Sequence, residues 1–324
     1  MKIAVGISGG VDSAVAAMLL KNQGHELLGV TMTLGREGEE KSVAEAREVA
    51  SRLGLELKVF DFSREWKKNV VDYIRETYLA GATPNPCVRC NETVKLSLLP
   101  EAAFSAGCDF FATGHYARVE NARIFRAADK FKDQSYFLCR VRRQVLEKLI
   151  LPLGAYTKDE VRAMAKDFGF AAAERADSQD FCGGDAVALV GEGERQGNIV
   201  TLDGRILGRH RGYWNYTIGK RKGLGIGGGI PYYVARLDAE KNEVVVAHRQ
   251  DVSASSFEIG DYLGEEVDAQ EELFVKVRSA GEPKGPVRLE AGRVLCPQGM
   301  MAVAPGQSAV FYRGDMLVGS GIIR

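Results

Sequence analysis

Apolar and polar positions change their period along the chain, and the change divides it. Residues 3–7 form a short apolar run suited to a buried strand, and 14–20 (AVAAMLL) has the composition to begin a helix. A second strand is expected over 26–34 (ELLGVTMTL), a charged amphipathic helix over 39–53 and a third strand over 56–62. The pattern over 67–79 is helical, 81–86 is irregular, and 93–106 resumes the helical period. Residues 109–113 read as another strand, ending in Gly114-His115-Tyr116. Such alternation predicts an α/β fold, a doubly wound parallel sheet with helices on both faces. Ligands of these sheets bind beyond the carboxyl ends of the strands, which is where 8–13 and 114–116 would lie.

After Phe181 the helical period fades and glycines cluster. Residues 198–203 and 232–247 have the character of β-hairpins, and short alternating runs such as 273–277 and 308–312 predict a small β-barrel. The expected domains are 1–182, a β-rich middle piece at 183–249, and a barrel at 250–324.

Composition narrows the class. At 324 residues the chain can bury a substantial core without disulfides. Lys plus Arg and Asp plus Glu are both 43, so no global positive field marks a nucleic-acid binder, and any such contact must be local. The run Gly219-Lys220-Arg221-Lys222-Gly223 is one local candidate, although short charge runs are more often solvated surface. No stretch is apolar enough for a membrane span, and the first residues lack a signal-peptide layout. Six Cys, two of them as Cys87-Val88-Arg89-Cys90, suggest reactive or metal-binding thiols in a reducing compartment, and the cytosol is the expectation.

The stretch Ile7-Ser8-Gly9-Gly10-Val11-Asp12-Ser13 stands between the first strand and the first helix. Strand, Gly-rich turn and helix aim backbone amides and a positive helix end at an anion. Asp12 is out of place in a pure anion cradle and is accounted for if a metal ion, Mg2+, accompanies the phosphate. The string matches neither Walker A nor the dinucleotide fingerprint. It matches SGGxDS, the pyrophosphate loop of enzymes that split ATP into AMP and pyrophosphate.

Two cysteine strings come next along the chain. In Thr83-Pro84-Asn85-Pro86-Cys87-Val88-Arg89-Cys90-Asn91 two prolines stiffen the approach to the first thiol. A thiol on this loop, ahead of the helix expected over 93–106, would gain thiolate character from that helix start. A structural zinc half-site or two incidental thiols are the alternatives, and no second Cys pair or His pair completes a zinc site. The second string, Asp177-Ser178-Gln179-Asp180-Phe181-Cys182, closes the sheet domain, and a redox pair with the first string fits both. Cys108, Cys139 and Cys296 sit in apolar settings and read as structural.

Seven strings in order, SGGVDS, TPNPCVRCN, ATGHYA, KDQSYFL, DSQDFC, YTIGKRKGLG and APGQSAVFY, resemble the bacterial tRNA-specific 2-thiouridylases over essentially the whole chain. That resemblance implies sulfur transfer to the wobble uridine of tRNAs for Lys, Glu and Gln, with sulfur arriving from a persulfide-carrying donor protein. It implies that Gly6, Ser8, Gly9, Gly10, Val11, Asp12 and Ser13 bind ATP, with Met32 and Gly114 beside the nucleotide. Cys90 matches the nucleophile and Cys182 the persulfide carrier, the two forming a transient disulfide. Asn85, Pro86 and Cys87 match positions near the target base, and His115, Lys132, Asp133, Gln134 and Gln307 match positions that approach tRNA.

The chain departs from the family pattern in four places. Cys87 stands where many members have Asp, which leaves an iron–sulfur cluster on Cys87, Cys90 and Cys182 as a competing use of the same thiols. Gly183 replaces the usual Phe, the tracts 34–41 and 183–198 are short, and Arg278 is followed by Ser279 rather than Tyr. A small-molecule adenylating enzyme would need no paired Cys, and a non-catalytic RNA-binding paralogue would not need Ser8, Asp12, Cys90 and Cys182 together.

Overall fold

A computed structural model describes residues 1–170, 186–227 and 229–324. The described chain forms two compact units. The first holds Met1–Val70, the described part of Cys87–Gly183, and Asp315–Leu317. The second holds Val71–Pro86, the described part of Gly184–Gly314, and Val318–Arg324.

The first unit is built on β1 (Lys2–Gly6), β2 (Glu26–Thr33), β3 (Leu57–Asp61) and β4 (Phe110–Ala112), with the hairpin β5 (Ala117–Glu120) and β6 (Arg123–Arg126), and then β7 (Leu149–Ile150). Its sheet runs β3-β2-β1-β4-β7, every neighbouring pair parallel. The strand order reverses between β1 and β4, and the carboxyl ends at such a reversal are where ligands of these sheets bind. The helices are α1 (Val11–Asn22), α2 (Glu39–Arg52), α3 (Ser63–Trp66), α4 (Asp72–Leu79, which belongs to the second unit), α5 (Pro86–Cys90), α6 (Leu98–Ser105), α7 (Arg143–Leu146) and α8 (Lys158–Asp167). Side chains alternate across a strand. Ile3 and Val5 therefore pack with Ala14, Val15, Val49 and Val161 of α1, α2 and α8, while Ala4 and Phe111 pack on the opposite face with Leu99 and Ala103 of α6. The doubly wound sheet is as the sequence pattern predicts.

Two helical expectations are refined and one element is added. The helical stretch expected over 67–79 is a π-helical turn at Lys67–Val71 followed by α4, with α3 directly ahead of it. The helix over 93–106 is also interrupted: a π-helical turn spans Asn91–Lys95, and the chain restarts as α6. Pro100 explains the break, because its ring would collide with the carbonyl four residues back and it has no amide to donate; restarting at Leu98 places it in a first turn, where neither matters. The β5–β6 hairpin has no counterpart in the sequence reading. Its turn puts Asn121 and Ala122 at φ 52° and 57°, left-handed angles adopted here without a glycine.

In the second unit β8 (Gly197–Thr201), β9 (Ile206–His210), β10 (Tyr233–Asp238) and β11 (Glu243–Ala247) form a sheet ordered β10-β11-β8-β9. A further six strands, β12 (Ala254–Gly264), β13 (Leu273–Lys276), β14 (Lys284–Glu290), β15 (Arg293–Met300), β16 (Ser308–Arg313) and β17 (Met316–Ile323), close through β12–β17 into a barrel. Closure leaves no open edge. No helix among the described residues is long and apolar enough to cross a membrane.

Candidate active site

β1 ends at Gly6, and the loop beyond it is held by close packing and short hydroxyl contacts. Gly9 adopts φ +82°, and a Cβ there would lie 2.5 Å from the Cβ of Glu45. The Ser8 amide donates to Ser13 Oγ (3.2 Å), and that hydroxyl donates to the Gly10 carbonyl (2.9 Å). α1 starts immediately after Gly10 with no side chain capping it. First-turn amides have no acceptor within their own helix, so the loop presents them, with the positive helix end, at the sheet's carboxyl edge. Gly114, just beyond β4, presses against the same turn: a Cβ on it would lie 2.7 Å from the Asp12 carbonyl carbon and 2.9 Å from the Ser13 nitrogen. Met32, near the end of β2, is half-buried. Three adjacent strands thus deliver Ser8, Met32 and Gly114 to one edge.

Asp12 has partners that the sequence did not suggest. Lys158 Nζ lies 2.7 and 2.9 Å from its two carboxylate oxygens, and the Tyr116 hydroxyl donates to one of them at 2.8 Å. The Lys158 side chain is only 7% exposed, so this ammonium is fixed in place rather than sampling solvent. Lys158 opens α8, whose start is set by a capping box between Thr157 and Glu160. The Thr-x-x-Glu spacing was legible and predicts the helix; the contact with a residue 146 positions away was not. Lys158 thus places a fixed positive charge beside Asp12, the residue for which the sequence reading invoked Mg2+. Among the described residues no group of three or more His, Cys, Asp or Glu could hold a metal ion.

The thiols of the 87–90 string lie in the same unit. Cys87 is half-buried within α5, and Cys90, its last residue, is 4% exposed. Helical turns continue through Lys95, so Cys90 lies inside a helical stretch, not before a helix start as the sequence suggested. Pro86 at the head of α5, with φ already helical, explains the earlier start. Arg89 donates to the Asn69 carbonyl (3.1 Å), and Glu92 receives both Arg89 (3.1 Å) and Arg140 (2.9 Å), which locks the stretch carrying Cys90. Cys182 lies outside the described residues. Cys108, Cys139 and Cys296 are buried, and burial pushes the Cys108 thiol up and that of Cys296 to about 11, so these two stay protonated and inert.

The segment 126–135 is tied to the same edge. The Tyr116 amide donates to Gln134 Oε1 (2.9 Å), and the Gln134 amide donates back to the Tyr116 carbonyl (2.7 Å). Asp133 is turned inward, accepting from the Ala127 amide (3.1 Å), the Ser135 amide (3.2 Å) and the Ser135 hydroxyl (2.9 Å), with Arg126 at 3.5 Å. Lys132 is half-buried. The half-buried His115 has Nδ1 2.8 Å from the Thr113 hydroxyl. Desolvation, with repulsion from Lys95 added, pulls its imidazole down to about 3, so the ring is neutral at pH 7.

Asn85 and Gln307 meet within the second unit. Gln307 Nε2 donates to the Pro84 carbonyl (2.7 Å) and the Thr83 carbonyl (3.3 Å), and its Oε1 accepts from Asn85 Nδ2 (3.4 Å). The Thr83 amide donates to the Pro305 carbonyl at 2.7 Å. The barrel loop at 305–307 therefore holds the Thr-Pro-Asn segment in place. In the Gly219–Gly223 run, Lys220 donates to the Asn215 carbonyl (3.0 Å), while Arg221 and Lys222 are exposed.

An uncapped helix after a Gly-rich turn, at the reversal point of a parallel sheet, defines a nucleotide-binding α/β protein. Three family models cover the chain: a tRNA methyl transferase HUP domain at residues 1–183, a tRNA methyl transferase PRC-barrel domain at 191–248, and an aminomethyltransferase beta-barrel domain at 258–323. The chain is 41% identical to a tRNA-specific 2-thiouridylase MnmA of Endomicrobium trichonymphae, over 100% of this chain and 99% of that one. It is 42% identical to the enzyme of the same name from Chloroflexus aurantiacus, over 99% and 98%. Among solved structures, a 4-thiouridine synthetase in complex with RNA and ATP matches 56% of this chain and 44% of its own, at 20% identity and a TM-score of 0.37. The chain belongs to the tRNA-specific 2-thiouridylase family.

Proposed function

We propose that this protein is an ATP-dependent tRNA sulfurtransferase that replaces the C2 oxygen of the wobble uridine with sulfur, acting in the cytosol on tRNAs for Lys, Glu and Gln. A carbonyl oxygen is a poor leaving group, so the reaction begins with its adenylation. The C2 oxygen attacks the α-phosphorus of ATP, the α–β phosphoanhydride bond breaks, and pyrophosphate departs with the electron pair. The observation that carries this reading is the 8–13 loop, whose amides, uncapped helix end and neighbouring Gly114 suit a departing pyrophosphate. Lys158, fixed on Asp12, adds positive charge where that anion forms. Mg2+ bound with ATP would neutralise charge on the departing pyrophosphate, and Asp12 is the carboxylate present to meet it.

Sulfur then replaces AMP. A persulfide on Cys182, loaded by a sulfur-carrying donor protein, attacks C2, and AMP leaves with the original oxygen. The Cys90 thiolate attacks the Cys182 sulfur, the sulfur–sulfur bond to the base breaks, and the thiocarbonyl is released. A Cys90–Cys182 disulfide remains, and an external thiol reduces it before the next turnover. Asn85, Pro86, Cys87, His115, Lys132, Gln134 and Gln307 contact the tRNA in this reading, while the inward carboxylate of Asp133 shapes its loop.

Single-turnover incubation of unmodified tRNA with ATP and a persulfide donor tests the proposal, after anaerobic purification with iron analysis. We expect AMP, pyrophosphate and 2-thiouridine in equal amounts from iron-free protein, adenylation without thiolation in Cys182→Ser, and no thiolation in Cys90→Ser. Pyrophosphate release independent of tRNA would point to a small-molecule synthetase. Stoichiometric iron, lost with activity in Cys87→Ser, would transfer the sulfur chemistry to a cluster.

A further inference from the structure

Between β6 and the turn Ser135–Leu138 the chain carries Phe131 wholly in solvent. Its exposure is 100%, the highest of any large apolar side chain among the described residues. A phenyl ring left in water forfeits the gain of burial, and this one is displayed on an ordered support. Asp129 accepts from the amides of Phe131 (3.0 Å) and Lys132 (3.2 Å) through one oxygen and from the Lys158 amide (3.0 Å) through the other. Asp133 closes the stem from inside through the amides of Ala127 and Ser135. Lys130 is held at 2.8 Å by Asp315, and Lys132 comes directly after the ring.

The support also places the ring. Asp129 is joined to the first residue of α8, whose side chain grips Asp12 of the pyrophosphate loop, and Gln134 is joined to Tyr116 just beyond β4. Phe131 therefore rises from the carboxyl edge of the sheet, where the activated uridine must lie. An aromatic face between two lysines suits an unpaired nucleobase with phosphate at its sides.

We propose that Phe131 stacks on a nucleobase beside the target uridine, giving that neighbour a protein ring in place of the stacking it loses when the uridine is drawn into the site. The inference rests on the tRNA-thiolation reading and adds a contact residue outside its motif strings.

The test compares Phe131→Ala, Phe131→Leu and Phe131→Trp in the full chain, measuring tRNA Kd, kcat/KM for tRNA and KM for ATP. Alanine should weaken tRNA binding and kcat/KM roughly 5- to 150-fold, the size of one stacked base, with KM for ATP unchanged. Leucine should fall close to alanine, whereas tryptophan should match the parent and show emission quenched by tRNA. Unchanged Kd and kcat/KM in Phe131→Ala overturn the proposal. So does parental binding by Phe131→Leu, which would make the contact merely apolar, or loss confined to sulfur delivery, which would make it a donor-protein contact. If the parent chain does not thiolate tRNA, the underlying functional reading fails before any variant is compared.

Discussion

The 8–13 loop and the 126–135 loop both reach Tyr116, yet they are ordered by opposite means. The first uses steric fit: Gly9 against Glu45, Gly114 against the backbone of Asp12, and hydroxyls too short to reach outward. The second uses carboxylates: Asp129 and Asp133 together bind the amides of Ala127, Phe131, Lys132 and Ser135. The first-turn amides of α1 are left uncapped, so packing and the Ser8–Ser13 contacts, not those amides, fix this loop. A loop that offers side chains is free to use its amides internally.

The contrast can be broken first at Asp133. Asp133→Ala should cost about 3 kcal/mol in urea unfolding, because Arg126, 8% exposed, loses a buried carboxylate beside it. A loss below about 1 kcal/mol would mean that the loop does not depend on its carboxylates. Next is Gly114→Ala, whose methyl has no room against backbone; displacing that turn by even about 1 Å should lower tRNA-dependent pyrophosphate release roughly 100-fold. Wild-type release from this variant would show that the first loop tolerates movement and is not fixed by packing.

The smallest effect tests the arm that joins the loops. His115 is held at about 3 against an ordinary value of 6.5. Between those values the unfolded chain binds a proton that the folded chain refuses, so stability is full above about pH 6.5 and falls as the pH drops toward 3. His115→Gln should flatten this fall in urea midpoints between pH 7.5 and 5. Parallel profiles for the two proteins would show that the ring titrates normally.

Much of this arrangement was readable beforehand because it is local. The apolar periods of 3–7, 26–34 and 56–62 announce three strands of the parallel sheet, and SGGVDS announces the Gly-rich turn between the first of them and α1. The partners of Asp12 were not readable, since Tyr116 and Lys158 lie 104 and 146 residues away and neither carries a motif that points to it. The β5–β6 hairpin escaped notice because Asn121-Ala122 turns the chain without the glycine that normally advertises such a turn. The interruption ahead of α6 was signalled by Pro100 alone, a single residue inside an otherwise helical period.

The three residues Asp315–Leu317 carry a consequence for dissecting the protein. They come near the end of the chain but belong to the first unit, where Met316 pairs with Phe125 and Asp315 meets Arg126 and Lys130. A fragment cut after residue 182 would lack them, leaving β6 without that neighbour and the Phe131 loop without its Lys130 anchor. The nucleotide-binding unit is therefore a compact body but not a contiguous stretch of sequence. Synthesis must run past residue 317 before the ribosome has supplied all of its parts.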